Sequence, residues 1–251
     1  MKKNVYIITG ASSDIGIAFL KRLQMKCDTE GSACDIVAQY FSSANELEHL
    51  QHSAPNLHIM PYNCDLGNLT AVEAWLDSLK SYDLMPSHIL HLASPRFEYM
   101  RIKDFDWKRM QQEINVNAGA LALILKYFLP RMAKKRYGRI LAMLTAYTID
   151  VPPKFMSDYI MAKHALWGLI KAASAEYAGK GVAINGISPN MMETKFLADI
   201  DKRSIDMNAA SSAMKRNISL AEVVAAMEYF LSDAAGYVNG VNFNLSGGDR
   251  M

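Results

Sequence analysis

Short apolar runs alternate along the whole chain with segments in which apolar residues recur at helical spacing. The runs have the length of β-strands, and their nearly continuous apolar character is typical of strands buried on both faces of a sheet. Strands that alternate with helices in this way favour a parallel sheet with helices on both faces. Seven strands are predicted, over residues 5–9, 35–41, 58–64, 88–93, 138–144, 182–188 and 241–245.

Two of the helical segments carry start signals. Residues 68–82 begin beside a cap-like Asn-Leu-Thr, and residues 220–236 follow Ser219 with Glu222 three residues later, the spacing of a capping box. No repeat, low-complexity tract or linker interrupts the 251 residues, a length that suffices for one α/β domain with a substantial core. We therefore predict a single domain over residues 1–251.

The composition is typical of a globular protein in a reducing compartment. Apolar residues make up 51% of the chain and charged residues 21%, and the net charge of +2 gives no indication of nucleic-acid or membrane binding. Cys27, Cys34 and Cys64 have no paired spacing. The apolar run near the amino terminus is too short for a signal peptide, and residues 118–130 are interrupted by Lys126 and too short to span a bilayer. We expect a cytoplasmic protein.

The least regular segment covers residues 191–217, which are polar and carry both signs of charge. It lies between the sixth predicted strand and the last predicted helix. Loops that follow the strands of an open α/β sheet surround its ligand crevice. We predict that residues 191–217 are a substrate lid.

The first predicted strand leads into a glycine-bearing turn, TGASSDIG, and then into a helix. Gly10 would let the backbone approach a pyrophosphate, Gly16 would let the helix pack on the strand, and the free N–H groups of the helix attract phosphates. A tight turn with Ser or Asp capping explains the same residues, and Asp14 stands where such loops usually carry glycine. We expect Asp14 to adopt a glycine-like conformation or to cap the helix, with its carboxylate turned from the phosphates.

Tyr159 and Lys163 stand one helical turn apart, a spacing that puts them on the same face of a helix. The ammonium would lower the pKa of the phenol, ordinarily about 10, and make it a general acid or base near neutrality. Tyr99 and Lys103 have the same spacing, so spacing alone does not distinguish the two pairs. Only the first pair follows the fifth predicted strand, at whose end Thr145 offers a hydroxyl.

Taken in order, these motifs resemble those of the short-chain dehydrogenase/reductase family, and the resemblance covers essentially the whole chain. The family has a Rossmann-like, doubly wound parallel sheet in a single domain, which agrees with the predicted alternation of strands and helices. The matching stretches are TGASSDIG (9–16), CDLGNLTAVEAW (64–75), INVNAGALALILKYFLPRM (114–132), KKRYGRILAMLTA (134–146), YIMAK (159–163), INGISPNMMET (184–194) and SDAAGYVNGVNFNLSGG (232–248).

The resemblance implies hydride transfer between a nicotinamide and a carbonyl or alcohol carbon. Tyr159 would protonate the carbonyl oxygen and Thr145 would hydrogen-bond it. Lys163 would lower the pKa of the tyrosine and bind the nicotinamide ribose, and Asn117 would hold a water in the proton relay. No metal site is predicted. The implied cofactor-binding residues are Gly10, Ser12, Ser13, Asp14, Ile15, Gly16, Tyr40, Ser42, Ser43, Asp65, Leu66, Ala93, Tyr159, Lys163, Pro189, Met192 and Thr194.

The sequence departs from its family at four places. Asp14 replaces the middle glycine, and residues 91–94 replace the usual Asn-Asn-Ala-Gly and keep only Ala93. Thr145 stands at the place of the serine, and Asn190 at the place of a glycine. These changes mark a divergent member. A non-catalytic, nucleotide-binding regulatory protein is therefore an alternative to an enzyme.

The end of the second predicted strand bears on the cofactor. An acidic residue there selects NAD by binding the ribose 2′-OH. Here Tyr40 and Phe41 are followed by Ser42 and Ser43, without a carboxylate, and serines could donate to a 2′-phosphate. Ser13 stands where many NADP-using relatives carry a basic residue, and the absence of that residue argues against NADP(H). We predict NADP(H) rather than NAD(H).

For the substrate, the second half of the chain most resembles 3-oxoacyl-acyl-carrier-protein reductases. Arg136 and Lys180 match basic residues that meet an acidic carrier protein, although solvated helix ends carry the same residues. An alcohol or sugar dehydrogenase of a specialised biosynthetic pathway is the alternative.

The resemblance also implies a homo-oligomer, a tetramer or dimer, built through helices near residues 118–130 and 163–177. Met156, Met161, Met191 and Met192 would form an apolar wall near the tyrosine or, since the chain contains 16 methionines, would only fill the core.

Overall fold

The structure is a computed structural model that describes residues 4–80 and 84–250. Within these residues, seven strands pair in parallel in the order β3-β2-β1-β4-β5-β6-β7. Every predicted strand is present, with ends shifted by no more than two residues. The strands are β1 Asn4–Thr9, β2 Cys34–Tyr40, β3 Leu57–Asn63, β4 His88–His91, β5 Gly138–Met143, β6 Val182–Pro189 and β7 Asn242–Leu245.

Helices connect the strands. The predicted helix over residues 68–82 is observed from Leu69, and its last residues Ser81 and Tyr82 lie outside the described residues. The helix predicted to reach residue 236 ends at Phe230, and Asp233–Ala235 forms a separate 3-10 turn. The helices are α1 Asp14–Glu30, α2 Asn45–Ser53, α3 Leu69–Lys80, α4 Trp107–Ile114, α5 Ala120–Lys135, α6 Ser157–Glu176, α7 Lys202–Ser211 and α8 Leu220–Phe230.

Adjacent residues of the central strands enter two different hydrophobic cores. Ile7 and Ile89 belong to the core that includes α5, whereas their neighbours Ile8 and Leu90 belong to the core that includes α1 and α8. The sheet is therefore buried on both faces, which explains why the strands are continuously apolar rather than alternating. The predicted single-domain, doubly wound parallel sheet is confirmed. Its strand order reverses between β1 and β4, and a ligand crevice is expected at the carboxyl ends of these strands.

Segment 191–217 contains regular structure that its polar sequence did not predict. Lys195–Leu197 forms a 3-10 turn, and α7 begins after its N-cap residue Asp201, whose side chain accepts from the Ser204 N–H. Asp249 secures the segment, because its carboxylate accepts the Ala213 N–H. No helix within the described ranges 4–80 and 84–250 is long and apolar enough to cross a membrane.

Candidate active site

A cavity of about 640 Å³ opens at the carboxyl ends of β1, β4, β5 and β6. The phosphate loop, which we define as residues 9–16, forms one side of it, and segment 191–217 forms another. Most residues implied by the family resemblance line this one cavity. They are Gly10, Ser12, Ser13, Asp14, Ile15, Ser42, Asp65, Leu66, Ala93, Thr145, Tyr159, Lys163, Pro189, Met192 and Thr194.

Four of the implied residues do not line the cavity. A Cβ on Gly16 would lie 2.5 Å from the Ala11 carbonyl oxygen, so this glycine permits the close packing of α1 on the loop. Tyr40 packs against the core that includes α1. Ser43 lies exposed before α2 and accepts from the Asn45 N–H. Asn117 is completely buried behind the cavity wall.

The phosphate loop is held in place by β2. Gly10 has a φ of 64°, and its N–H donates to Oε1 of the buried Gln39 at 2.8 Å. Ser13 is the N-cap of α1, accepting from the Gly16 N–H and donating to the Gly10 carbonyl oxygen. The positive end of α1 therefore meets the cavity, as a phosphate-binding loop requires.

Asp14 takes neither conformation that the sequence analysis expected. It is the first residue of α1, its φ is not positive, and Ser13 is the cap. Its Oδ2 accepts the backbone N–H of Lys195 at 2.6 Å, and its Oδ1 lies 3.6 Å from the Lys195 ammonium. Thr194 precedes the 3-10 turn Lys195–Leu197, and its own side chain does not cap that turn. Asp14 therefore joins the phosphate loop to segment 191–217.

Tyr159, Thr145 and Lys163 meet at the inner end of the cavity. Lys163 is 2% exposed, and its Nζ donates to the Met143 carbonyl oxygen at 2.9 Å and lies 5.7 Å from the centre of the Tyr159 ring. Burial lowers the pKa of Lys163 to about 8. Burial also raises the pKa of Tyr159 above its ordinary value, and the hydrogen bond with Thr145 only partly opposes this. The expected lowering of the tyrosine pKa by Lys163 is therefore not found in this structure.

His91 explains one departure from the family pattern. Its Nδ1 lies 2.7 Å from Thr9 Oγ1, and its Nε2 lies 2.9 Å from the backbone oxygen of Asn117. Burial lowers the pKa of His91 to about 4, so the ring is neutral at physiological pH. A ring with its proton on Nε2 satisfies both contacts and ties β1 and β4 to the five-residue π-helical turn Asn115–Gly119.

Sequence reasoning missed three buried or half-buried charged residues behind the site. Asp158 is completely buried, and its Oδ2 lies 2.7 Å from Arg109 Nε. Glu113 accepts from Asn117 Nδ2 at 3.1 Å. Two features of the sequence could have indicated them. Arg109, Glu113 and Asn117 stand at intervals of four residues, and Asp158 directly precedes Tyr159.

The part of the cavity beside Tyr159 is apolar and aromatic. The ring centres of Phe97 and Phe196 lie 5.5 Å and 6.0 Å from that of Tyr159. Of the four methionines expected near the tyrosine, Met161 lies instead on the exposed side of α6. The other members of this wall are Tyr147, Met156, Met191, Leu197 and Ile200, and Met192 lines the same cavity.

Comparisons with known proteins agree with this arrangement. A family model described as Enoyl-(Acyl carrier protein) reductase matches residues 10–249. The short chain dehydrogenase/reductase astE of Aspergillus oryzae is 30% identical, over 99% of this chain and 95% of its own length. A 3-oxoacyl-[acyl-carrier-protein] reductase of Rickettsia typhi is 23% identical, over 98% and 96%. The solved structure of 4-hydroxyisoleucine dehydrogenase complexed with NADH superposes with a TM-score of 0.86 at 22% identity, covering 98% of both chains.

Proposed function

The chain belongs to the short-chain dehydrogenase/reductase family, and from that premise we propose that it is an NADP(H)-preferring reductase of extended apolar carbonyl compounds. It is an oxidoreductase that acts on carbonyl or alcohol substrates. One observation carries the choice of residues: Tyr159, Thr145 and Lys163 share a single cavity with the phosphate loop.

The chemistry would rest on three side chains. Tyr159 donates a proton to the carbonyl oxygen, and its raised pKa keeps it in the protonated form that reduction needs. Thr145 donates to the same oxygen as negative charge develops there. The buried Lys163 stabilises the phenolate that the proton transfer leaves behind. A bound nicotinamide dinucleotide supplies the hydride.

The residues around the phosphate loop fit such a dinucleotide. A Cβ on Gly10 would lie 2.9 Å from the Ala93 Cα, so the loop can border the cavity only without a side chain at this position. Gly10, Ser12, Ser13 and Ile15 would hold the pyrophosphate at the start of α1. Asp65, Leu66 and Ala93 would meet the adenosine half, and Lys163, Pro189, Met192 and Thr194 the nicotinamide half.

The preference for NADP(H) is supported at the carboxyl end of β2. Phe41 and Ser42 line the cavity there, and no carboxylate directly follows the strand. Of the residues that the structure describes, two carboxylates line the cavity elsewhere, those of Asp14 and Asp65. Asp14 is engaged by Lys195, and Asp65 accepts the Gly67 N–H. The end of β2 therefore offers a hydroxyl rather than a negative charge to the ribose 2′ position.

The substrate class follows from the wall beside Tyr159. Its aromatic and aliphatic side chains suit an acyl chain or a hydrophobic ring better than a polyol, whose hydroxyls would need polar partners. A 3-oxoacyl thioester meets this requirement. Arg136 precedes β5 and Lys180 precedes β6, so both lie at the amino-terminal ends of the strands, opposite the cavity. A carrier protein docked on Arg136 and Lys180 of one subunit would therefore deliver its acyl group to the cavity of another subunit in a homo-oligomer.

We also propose that residues 191–217 cover the bound substrate as a lid, and that the chain forms a homodimer or homotetramer through α5 and α6. The partly buried Leu123, Tyr127, Trp167 and Leu169 on these helices support such an interface. Light scattering after size-exclusion chromatography measures the assembly. A monomer at micromolar concentration would contradict it.

Turnover tests the activity directly. NADPH and NADH oxidation is followed with a panel that contains 3-oxoacyl thioesters on coenzyme A and on a carrier protein, cyclic ketones and keto-sugars, for the wild type and Tyr159→Phe. We expect turnover of apolar ketones with NADPH and its loss in Tyr159→Phe. Nucleotide binding without turnover of any carbonyl would favour the regulatory alternative, and turnover of keto-sugars alone would favour the sugar dehydrogenase.

A further inference from the structure

Three polar residues occupy successive turns on one side of α4 and the π-helical turn that follows it. Arg109, Glu113 and Asn117 stand at intervals of four, and α4 packs against α6. At one end of this row Arg109 pairs with Asp158 of α6. Glu113 lies in the middle of the row and is only 4% exposed. A carboxyl group so placed is costly to bury unless it has a partner or holds a proton.

The charges that face Glu113 come from its own helix and from α6. Arg109 and Asp158 pair with each other, so their opposite charges partly cancel at Glu113. Lys163 and Tyr159 face it from α6. Glu113 is also the carboxyl group whose charge favours the ammonium form of Lys163. Lys163 and this buried acid therefore influence each other directly.

Asn117 connects Glu113 to the back of the site. Its Nδ2 donates to Glu113 Oε2 at 3.1 Å and to the Glu113 carbonyl oxygen at 3.0 Å. Its backbone oxygen is within hydrogen-bond distance of His91. Its Oδ1 is buried and, within residues 4–80 and 84–250, has no hydrogen-bond partner, as is also true of Asp158 Oδ1. Buried oxygens of this kind are commonly hydrogen-bonded to water, and a water bound to Asn117 Oδ1, beside Glu113, would provide a path for protons.

We propose that Glu113 is the proton store of this site and returns a proton to Lys163 after Lys163 has passed one towards Tyr159. The O–H bond of the Glu113 carboxylic acid breaks and an N–H bond forms at the neutral Lys163 Nζ, with the proton carried by a water that Asn117 Oδ1 would hold. The Glu113 carboxylate keeps its hydrogen bond from Asn117 Nδ2 until solvent protonates it again. The step moves one proton and no electrons, and it rests on the proposed carbonyl reduction. Glu113 acts through Lys163 and is a positioning residue.

The acidities of the two groups are matched for this exchange. Burial raises the pKa of Glu113 to about 7 and lowers the pKa of Lys163 to about 8. A difference of one pKa unit corresponds to a tenfold equilibrium constant, so a proton moves between the groups in either direction at little cost. An ordinary carboxyl group, several pKa units more acidic than an ammonium group, would trap the system as an ion pair.

Kinetics of Glu113→Gln test this role. Glutamine keeps the size of the side chain and an oxygen that accepts from Asn117, but it cannot release a proton. We expect kcat for reduction to fall on the order of tenfold or more, with KM for the nucleotide unchanged. The wild-type decline in kcat as pH rises through 7 should disappear, and Glu113→Asp should restore it in part. Glu98→Gln is the matched control, because Glu98 contacts Arg109 from the exposed side. Wild-type kcat and pH profile in Glu113→Gln would overturn the proposal.

A measurement on the cofactor-free protein separates this inference from the proposed function. In the ¹³C NMR spectrum of glutamate-labelled protein, we expect one carboxyl resonance to titrate near pH 7 and to be missing in Glu113→Gln. Its absence from the wild type would overturn the proton store even where turnover is normal. A wild type that shows this resonance but reduces no carbonyl would instead refute the proposed function.

Discussion

The carboxylate of Asp14 accepts the backbone N–H of Lys195 at 2.6 Å, across a separation of 181 residues in the chain. The Lys195 ammonium lies 3.6 Å from the same carboxylate. Asp14 also stands in the first turn of α1, where the helix dipole favours negative charge. A carboxylate in a phosphate loop is therefore compensated from two sides, and it fixes the first turn of segment 191–217.

Asp14→Gly should separate these two effects. We expect the variant to bind nucleotide at least as tightly as the wild type, because a negative charge near the pyrophosphate is removed. Segment 191–217 loses its anchor, so limited proteolysis there should become several-fold faster. Asp14→Asn is the matched control, since it keeps an acceptor oxygen for Lys195. Markedly weaker nucleotide binding in Asp14→Gly would mean that the carboxylate itself supports the cofactor.

The two tyrosine–lysine pairs provide an internal comparison. Lys163→Met removes the buried ammonium beside Tyr159, and we expect kcat to fall by about 10²–10⁴. Lys103→Met makes the same change in the second pair, where the side chain is exposed, and should leave kcat within about twofold of the wild type. Circular dichroism melting checks that both variants fold. Equal losses in the two variants would refute the assignment of Lys163.

Neighbouring serines test the cofactor preference. Ser42 lines the cavity and Ser43 does not. Ser42→Asp should lower kcat/KM for NADPH by about tenfold or more, because its carboxylate would repel a 2′-phosphate, and should favour NADH. Ser43→Asp is expected to have a much smaller effect. A wild type that already prefers NADH would refute the NADP(H) proposal.

The raised pKa of Glu113 predicts a pH dependence of folding stability. Between its unfolded value near 4.5 and its folded value of about 7, the native state binds the extra proton, so this contribution to stability is lost as pH rises across that window. Relative to Glu113→Gln, the wild type should lose about 2–3 kcal/mol of unfolding free energy between pH 4.5 and pH 8. Urea unfolding at both pH values measures the difference. The lowered pKa values of the buried His88 and His91 make stability rise with pH in both proteins. Subtracting the unfolding free energies of the wild type and Glu113→Gln cancels this contribution.

The strands could be predicted because their evidence is local. A run such as residues 138–144 is mostly apolar, and all seven of its residues are buried. The convergence of Tyr159 with the phosphate loop followed from the order of motifs along the chain. The partner of Asp14 could not be predicted, because Lys195 lies in a polar segment whose path depends on tertiary contacts. The pairing of Arg109 with Asp158 could not be predicted either, because it depends on the packing of α4 on α6.

The π-helical turn Asn115–Gly119 makes the site depend on chain length as well as on residue identity. Its defining hydrogen bond runs from the Ala120 N–H to the Asn115 carbonyl oxygen, so the turn holds one residue more than an α-helix would need. Deleting one residue here would merge α4 and α5 into a regular helix and rotate α4 by about 100° about its axis. Arg109 and Glu113 would then turn away from α6 although neither was substituted. The additional residue of the π-helical turn thus sets the rotation of α4 about its axis, and with it the direction in which Arg109 and Glu113 face relative to Tyr159.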